Sequence, residues 1–238
     1  MSIDSLEMLQ ENRSGLTPIA IPEATSSQKG VSVKYVFEPA KKWFVLRASY
    51  GREDKVADEL ITHGHYAYVA KRYQWVLIHG KRKKILKSLI PNIVFSYLTQ
   101  EYADMFVKDI CPSGMINPCP GLPYITSYYY NHFETDGDGK NPPIQIPDKQ
   151  MHTFILGTSS HDENIVPLQR EGYHFLLDEE VEVIAGPFKG VRGRVIRAGG
   201  QQRILLRLTS ATTNNVLGEF GTAFIPKSLM RKVSTKAG

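Results

Sequence analysis

The chain has 238 residues, with 29 Lys and Arg against 24 Asp and Glu, and 42% of its residues are hydrophobic. This length fits one large domain or two small ones, and the composition is that of a globular protein with a buried core. No apolar run approaches the ~18 residues that a membrane helix requires, and the first ten residues lack the features of a secretory signal. The sequence therefore predicts a cytoplasmic, monomeric protein with no membrane partner.

The charge is unevenly distributed along the chain. Residues 1–40 carry three Lys and Arg against five Asp and Glu, and residues 161–176 carry one against three. Residues 41–160 carry fifteen against eleven, and residues 177–238 carry ten against five. Each of the two basic regions thus follows an acidic segment. Basic domains favour a position near nucleic acid.

The first 40 residues have no sustained hydrophobic period and predict a mobile tail. Trp43–Ala48 is a short apolar run that predicts a buried strand. Residues 52–63 then place Val56, Ala57 and Leu60 at helical spacing, so we expect an amphipathic helix after the strand.

A β-hairpin is predicted next, from Tyr66–Arg72 and Gln74–His79, with the basic run Lys81–Lys84 at its tip. Four adjacent cations can simply keep a sheet edge soluble, or they can contact phosphates. The sequence leaves both interpretations open.

Ile93–Leu98 predicts another strand, and Thr99 is placed to cap a helix that runs to about Lys108. The insert 111–143 is rich in Pro and Tyr, and its prolines exclude helix over most of its length. A short helix is expected from Asp148.

The two cysteines, Cys111 and Cys119, lie in CPSGMINPC with no CxxC pair. Two such residues predict free thiols in a reducing compartment and no metal site. The seven histidines are scattered, and no phosphate-binding loop or nucleophile–base pattern is present. The sequence therefore predicts neither an enzyme nor a bound cofactor.

The polar segment 158–176 predicts a flexible interdomain linker. Short apolar strands follow over residues 177–235, and they favour a small β-barrel, which closes its own edges. The stretch from Val181 to Leu208, VEVIAGPFKGVRGRVIRAGGQQRILLRL, resembles the KOW motif. Its glycines permit backbone geometry or close approaches that a Cβ would block; they are Gly186, Gly190 and Gly193.

Four further segments resemble the N-terminal domain of the NusG family: Lys42–Arg47, Gly51–Val56, Leu89–Phe95 and Ile146–Met151. The resemblance implies an α+β fold, with a ferredoxin-like NusG N-terminal (NGN) α/β sandwich over residues 41–157. An SH3-like β-barrel, the KOW domain, would follow over residues 177–235.

The same resemblance implies a transcription elongation factor whose first domain binds the clamp helices of the largest RNA polymerase subunit and suppresses pausing. The insert and the acidic tail favour a specialised antiterminator of a dedicated operon, such as the UpxY-type proteins of capsular polysaccharide operons. The residues implied for the polymerase-binding face are Tyr50, Gly51, Ile90, Pro91 and Ile93. For Ile93, a strand residue, packing in the core is the alternative.

Cationic side chains in the first domain could contact the DNA or RNA of the elongation complex without choosing a sequence; they are Arg52, Lys55, Lys71, Arg72, Lys81, Arg82, Lys83 and Lys84. In the barrel, Ile184 and Phe188 are candidates for binding Rho or a small-subunit ribosomal protein, although Ile184 could instead be a core residue. A ribosome-associated KOW-type RNA-binding protein and a nucleic-acid-processing enzyme are the alternative functions.

Overall fold

The computed structural model describes residues 37–132, 134–135, 137–169, 173–213 and 215–233. The predicted tail therefore lies almost entirely outside the described residues. In the described part of the chain, helices α1 to α3 occupy Glu53–Thr62, Gln100–Lys108 and Asp148–Thr158. None of these helices is long and apolar enough to cross a membrane.

The strands of the described residues form three antiparallel sheets. In chain order, β1 to β13 occupy Lys42–Ala48, Tyr66–Tyr68, Lys71–Ile78, Lys81–Ser88, Ile93–Leu98, Thr126–Tyr128, Gln145–Ile146, Val166–Pro167, Tyr173–Val183, Arg192–Ala198, Gln201–Thr209, Val216–Gly221 and Met230–Lys232. The first sheet has the order β2-β5-β1-β6, with β7 also paired to β1. Strands β3 and β4 form a separate hairpin, and the C-terminal sheet has the order β13-β9-β10-β11-β12-β8.

Strand β1 runs through the centre of the first sheet. Trp43 and Val45 pack on one face, Phe44 and Leu46 pack on the other, and all four are buried. Because successive side chains of a strand point to opposite faces, the continuous apolar run reflects a sheet that is covered on both sides. The predicted strand is confirmed.

The helix face of the first sheet is the face that α1 and α2 cover. Val56, Ala57 and Leu60 of α1 are fully buried there, at helical spacing. At the start of α2, the side-chain oxygen of Thr99 accepts the backbone N–H of Tyr102 at 3.3 Å, which satisfies one of the N–H groups that a helix leaves unpaired. The predicted amphipathic helix and the Thr99 cap are confirmed.

The shared face is the opposite face of the first sheet, where α3 and the C-terminal sheet join one apolar cluster. The ring of Phe154 in α3 lies 5.5 Å from that of Phe95 in the first sheet and 5.3 Å from that of Phe220 in the C-terminal sheet. Beside it, Gln150 accepts the backbone N–H of Thr209 at 2.8 Å and donates to its hydroxyl at 2.7 Å. The two sheets therefore share a hydrophobic core.

The hairpin is built from other strands than predicted, because Tyr66–Tyr68 pairs with β5 in the first sheet and Lys71–Ile78 is one continuous strand that pairs with Lys81–Ser88. Its turn lies at His79 and Gly80, where φ is 49° and 73°, and positive φ at both central residues is the geometry of a type I′ turn. The basic run Lys81–Lys84 therefore forms the first half of β4 and does not lie at the tip. This turn was not predicted, because histidine is not a typical residue of such turns.

The C-terminal sheet contains short strands over residues 177–235, as expected. Strand β8, at Val166–Pro167, pairs with β12 and lies inside the segment that was predicted to be a linker. The hydrogen-bonded path through the described strands is open from β13 to β8. The structure thus shows a mixed α and β fold with antiparallel sheets, and a closed barrel is not among its described features.

Candidate polymerase and nucleic-acid interface

Two turns meet at one end of the first sheet. Tyr50 follows β1 with φ of 57°, and its side chain is 90% exposed. Asn92, in the turn before β5, has φ of 62°. Its side-chain oxygen accepts the backbone N–H of Gly51 at 2.9 Å, and its carbonyl oxygen accepts the N–H of Ala48 at 2.8 Å. Asn92 therefore tolerates the left-handed backbone, and its hydrogen bonds hold the turn at Tyr50 against the turn that contains Asn92.

The residues predicted for the polymerase-binding face divide into two groups. Tyr50, Gly51 and Pro91 are exposed. Ile90 and Ile93 are half-buried and pack against the apolar cluster of the shared face. Core packing, the alternative given for Ile93, therefore applies to part of its side chain.

Ile90 and Ile93 also line an apolar cleft of about 110 Å³ between the two sheets. Val45 and Phe95 contribute from the first sheet, while Leu208, Leu217 and Phe220 contribute from the C-terminal sheet. One part of the predicted face thus points to solvent, and the other part faces the C-terminal sheet.

The predicted nucleic-acid residues also separate by exposure. Lys71 is buried, with its ammonium 2.6 Å from a carboxylate oxygen of Asp54. Arg72 donates a hydrogen bond to the carbonyl oxygen of Ile165 at 2.6 Å. Both side chains therefore serve contacts inside the molecule. Exposed members of the predicted set are Arg52, Lys55, Lys81, Arg82, Lys83 and Lys84.

One side of the hairpin carries aromatic rings together with cations. Tyr73 and Trp75 are 36% and 55% exposed. Arg82 lies 5.8 Å from the centroid of the Trp75 ring, and Lys84 lies 5.3 Å from that of Tyr73 and 5.9 Å from that of Trp75. We call these four residues the hairpin platform. The aromatic half of the platform was not predicted, although the alternation of Tyr73 and Trp75 along a strand indicates two rings on one side of the hairpin.

The candidate residues of the KOW-like segment also differ in exposure. Ile184 is 43% exposed, whereas Phe188 is 6% exposed and belongs to the buried cluster. The structure therefore corrects the expectation that the turn presents Phe188 to a partner. Gly186 and Gly190 have φ of 82° and 89°, and a Cβ on Gly193 would lie 2.6 Å from the carbonyl oxygen of Leu205.

A cluster that was not predicted lies at the end of α1. The side chains of Glu59, His63 and Cys119 place one potential ligand atom each within 4.8 Å of one another. The sulfur of Cys119 lies 3.1 Å from Nδ1 of His63. Burial, together with the negative charge of Glu59, raises the pKa of the Cys119 thiol to about 11.

The described residues thus combine a cationic hairpin and an exposed aromatic turn with a small antiparallel sheet that helices cover on one face. Residues 41–155 match the family model described as "Transcription termination factor nusG". The segment 41–155 is therefore that of a NusG-family transcription factor. A search of the curated proteins finds no match.

Proposed function

We propose that this protein is a non-enzymatic transcription elongation factor that binds RNA polymerase and promotes antitermination. Its N-terminal part would be the NGN domain and its C-terminal sheet the KOW domain. The observation that carries the proposal is Tyr50, which is held almost fully exposed on a turn fixed by Asn92. An exposed aromatic on a rigid turn loses little conformational entropy on binding, and aromatic residues are frequent anchors of protein interfaces.

Tyr50, Gly51 and Pro91 would make the first contact with the clamp helices of the polymerase. Ile90 and Ile93 would extend this contact, but the C-terminal sheet covers part of them. A polymerase that contacts all five residues must therefore move the C-terminal sheet away from Ile90 and Ile93, which widens the cleft between the two sheets. The C-terminal sheet would then be available, through Ile184, for Rho or a small-subunit ribosomal protein.

The hairpin platform would contact single-stranded nucleic acid of the elongation complex. Bases stack on aromatic rings without regard to sequence, and neighbouring cations neutralise the phosphates. Tyr73 and Trp75 supply the rings, while Arg82 and Lys84 supply the charge on the same side of the hairpin. Lys84 would exchange its contact with Glu163, at 3.3 Å, for a phosphate. This arrangement favours phosphate contact over the alternative that the basic run only keeps an edge soluble.

The insert and the acidic tail favour a specialised, UpxY-like factor of one operon, such as a capsular polysaccharide operon. A ribosome-associated KOW protein would not account for the family match over residues 41–155.

Transcription by the polymerase of the source organism, through pause sites and a terminator, tests the proposal. The wild-type protein should increase read-through. Tyr50→Asn removes the ring but tolerates the left-handed backbone, so it should abolish this effect without unfolding the protein. Tyr124→Asn is the matched control because Tyr124 is also 87% exposed. Equal activity of the two variants, or no effect of the wild type, would overturn the proposal.

The platform has its own control within the basic run. Arg82 and Lys84 lie opposite Leu77 and Trp75, whereas Lys81 and Lys83 lie opposite Ile78 and Val76 on the other side of the hairpin. Replacing either pair with alanine removes two charges. If rings and cations act together, only the Arg82→Ala/Lys84→Ala variant should lose stacking on single-stranded DNA, measured by Trp75 fluorescence quenching. Equal losses of quenching in the two variants would show that the hairpin binds DNA by charge attraction alone.

A further inference from the structure

We propose that Glu59, His63 and Cys119 form a Zn²⁺ site that ties the end of α1 to the Pro-rich insert. Thiolate, imidazole and carboxylate are the three ligand types that zinc takes in proteins, and a sulfur ligand disfavours Mg²⁺ and Ca²⁺. This inference is independent of the proposed function, because none of the three residues belongs to the polymerase face or to the hairpin platform.

Helix geometry brings two of the ligands together. Glu59 and His63 are four residues apart, so they lie on the same side of α1 one turn from each other. His63 is the first residue after α1, and its backbone N–H is bonded to the carbonyl oxygen of Glu59 at 3.2 Å. Both side chains reach the insert, since their potential ligand atoms lie within 4.8 Å of that of Cys119.

The third ligand is fixed by its own hydrogen bonds. The backbone N–H of Cys119 donates to the side-chain oxygen of Asn117 at 2.9 Å. The amide nitrogen of Asn117 donates to the carbonyl oxygen of Met105 at 3.0 Å and to the carboxylate of Asp109 at 2.8 Å. Asn117 therefore anchors the cysteine loop to α2, and Cys119 is placed before any ion arrives. Such supporting bonds orient ligands in metal sites.

The distance between two of the ligand atoms is close to that of a zinc site. In a tetrahedral zinc site, bond lengths near 2.3 Å for sulfur and 2.0 Å for nitrogen put these two atoms about 3.5 Å apart. The sulfur of Cys119 and Nδ1 of His63 are 3.1 Å apart, so an ion requires them to separate by only about half an ångström. The carbonyl oxygen of Glu59, 2.9 Å from Nδ1, would give up that contact.

A cavity beside Glu59 and Cys119 offers space for a fourth ligand. A cavity of about 250 Å³, lined by Glu59, Cys119, Lys55 and neighbouring insert residues, adjoins the cluster. Three protein ligands and one water molecule are a common zinc coordination, and the cavity has the volume for that water. The described residues supply three ligands, so we expect moderate affinity, below that of sites with four protein ligands.

Zinc titration of the tag-free, full-length chain, in competition with a chromophoric chelator, tests the proposal. We expect one ion per chain. Cys119→Ser or His63→Ala should weaken binding by at least about tenfold, since even losing a supporting residue commonly costs that much. Cys111→Ser is the control because this second cysteine of the insert is not in the cluster. With Co²⁺, the wild type should show a sulfur-to-metal charge-transfer band that Cys119→Ser lacks.

Two results would overturn the site. One is that the wild type retains no zinc at stoichiometric concentration. The other is that the folded His63→Ala variant, whose altered side chain is exposed, binds zinc as tightly as the wild type. Hydrogen exchange separates this site from adventitious binding elsewhere: zinc should slow exchange in residues 111–122, and unchanged exchange there would count against the proposal.

Discussion

The two faces of the first sheet are completed in different ways. The helix face is covered by α1, α2 and the insert, all of which belong to the segment that matches the NusG family. The shared face is covered by α3 and by strands that follow this segment, including β11 and β12. The same central strand therefore builds one core that is local and another that depends on the C-terminal sheet. Apolar sequence alone does not distinguish a core residue from a residue that is covered by a second module.

The largest effect should come from a matched pair of core substitutions. Phe44→Ala on the helix face and Phe154→Ala on the shared face each remove a buried ring, and each should lower the free energy of unfolding by about 3–5 kcal/mol. Only Phe154→Ala also removes the contact with Phe220. Amide hydrogen exchange in β11 should therefore accelerate more in Phe154→Ala. Equal acceleration in both variants would show that the two cores do not respond separately.

A smaller effect is expected from a wedge between α3 and the C-terminal sheet. A Cβ on Gly157 would lie 2.5 Å from a methyl carbon of Leu206, and Leu206 is 1% exposed. Overpacking of this kind typically costs about 1–3 kcal/mol, partly offset by the better helix propensity of alanine. Gly157→Ala should thus loosen the packing of the C-terminal sheet against α3. NMR relaxation should show this as greater mobility of the sheet relative to the rest of the molecule.

Gly121→Ala is the control for the wedge, because a Cβ there meets no atom within 4 Å. It should leave the relaxation of the C-terminal sheet unchanged. If Gly157→Ala also leaves this relaxation unchanged, the contact between α3 and the C-terminal sheet accommodates the extra methyl group, and it does not control how tightly the sheet is held.

The features that were predictable from sequence are those specified by neighbouring residues. Strand β1, the apolar side of α1 and the Thr99 cap each follow from a local pattern, and the structure contains all three. The type I′ turn at His79 was not predictable in the same way, since its residue type is unusual for that geometry. Because this turn was not predicted, the basic run Lys81–Lys84 was expected at a loop tip.

Contacts between distant segments left no signal in the sequence. Cys119 and His63 are 56 positions apart, so ligand spacing along the chain could not reveal their cluster. Phe188 was expected on the surface because a turn usually lies there, but tertiary packing buries it. The exposure of Tyr50 was expected from its place in a loop, whereas the bond from Gly51 to Asn92 that fixes this loop required the structure.

The smallest expected effect is a pH response that distinguishes the hairpin from the helix face. His161 lies beside the hairpin, with Nδ1 3.1 Å from the carbonyl oxygen of Lys71, and burial lowers its pKa from the usual value. His65 lies on the helix-face side, against the rings of Tyr102 and Phe106, and burial lowers its pKa as well. Above the pKa of about 6.5 in the unfolded chain, neither histidine is charged in either state. As the pH falls below that value, the unfolded chain binds protons that the folded chain resists, so stability decreases.

Replacing one histidine at a time should show where this loss of stability acts. His161→Asn removes one titrating group and suits the left-handed backbone at this position, where φ is 52°. The variant should lose less stability than the wild type between pH 7 and pH 5.5, and acid should accelerate hydrogen exchange less in β3 and in the segment before β8. His65→Asn should instead reduce the acid response in α1 and α2. If both variants change the same amides, protonation acts on the whole molecule, and the hairpin and the helix face are one cooperative unit in acid.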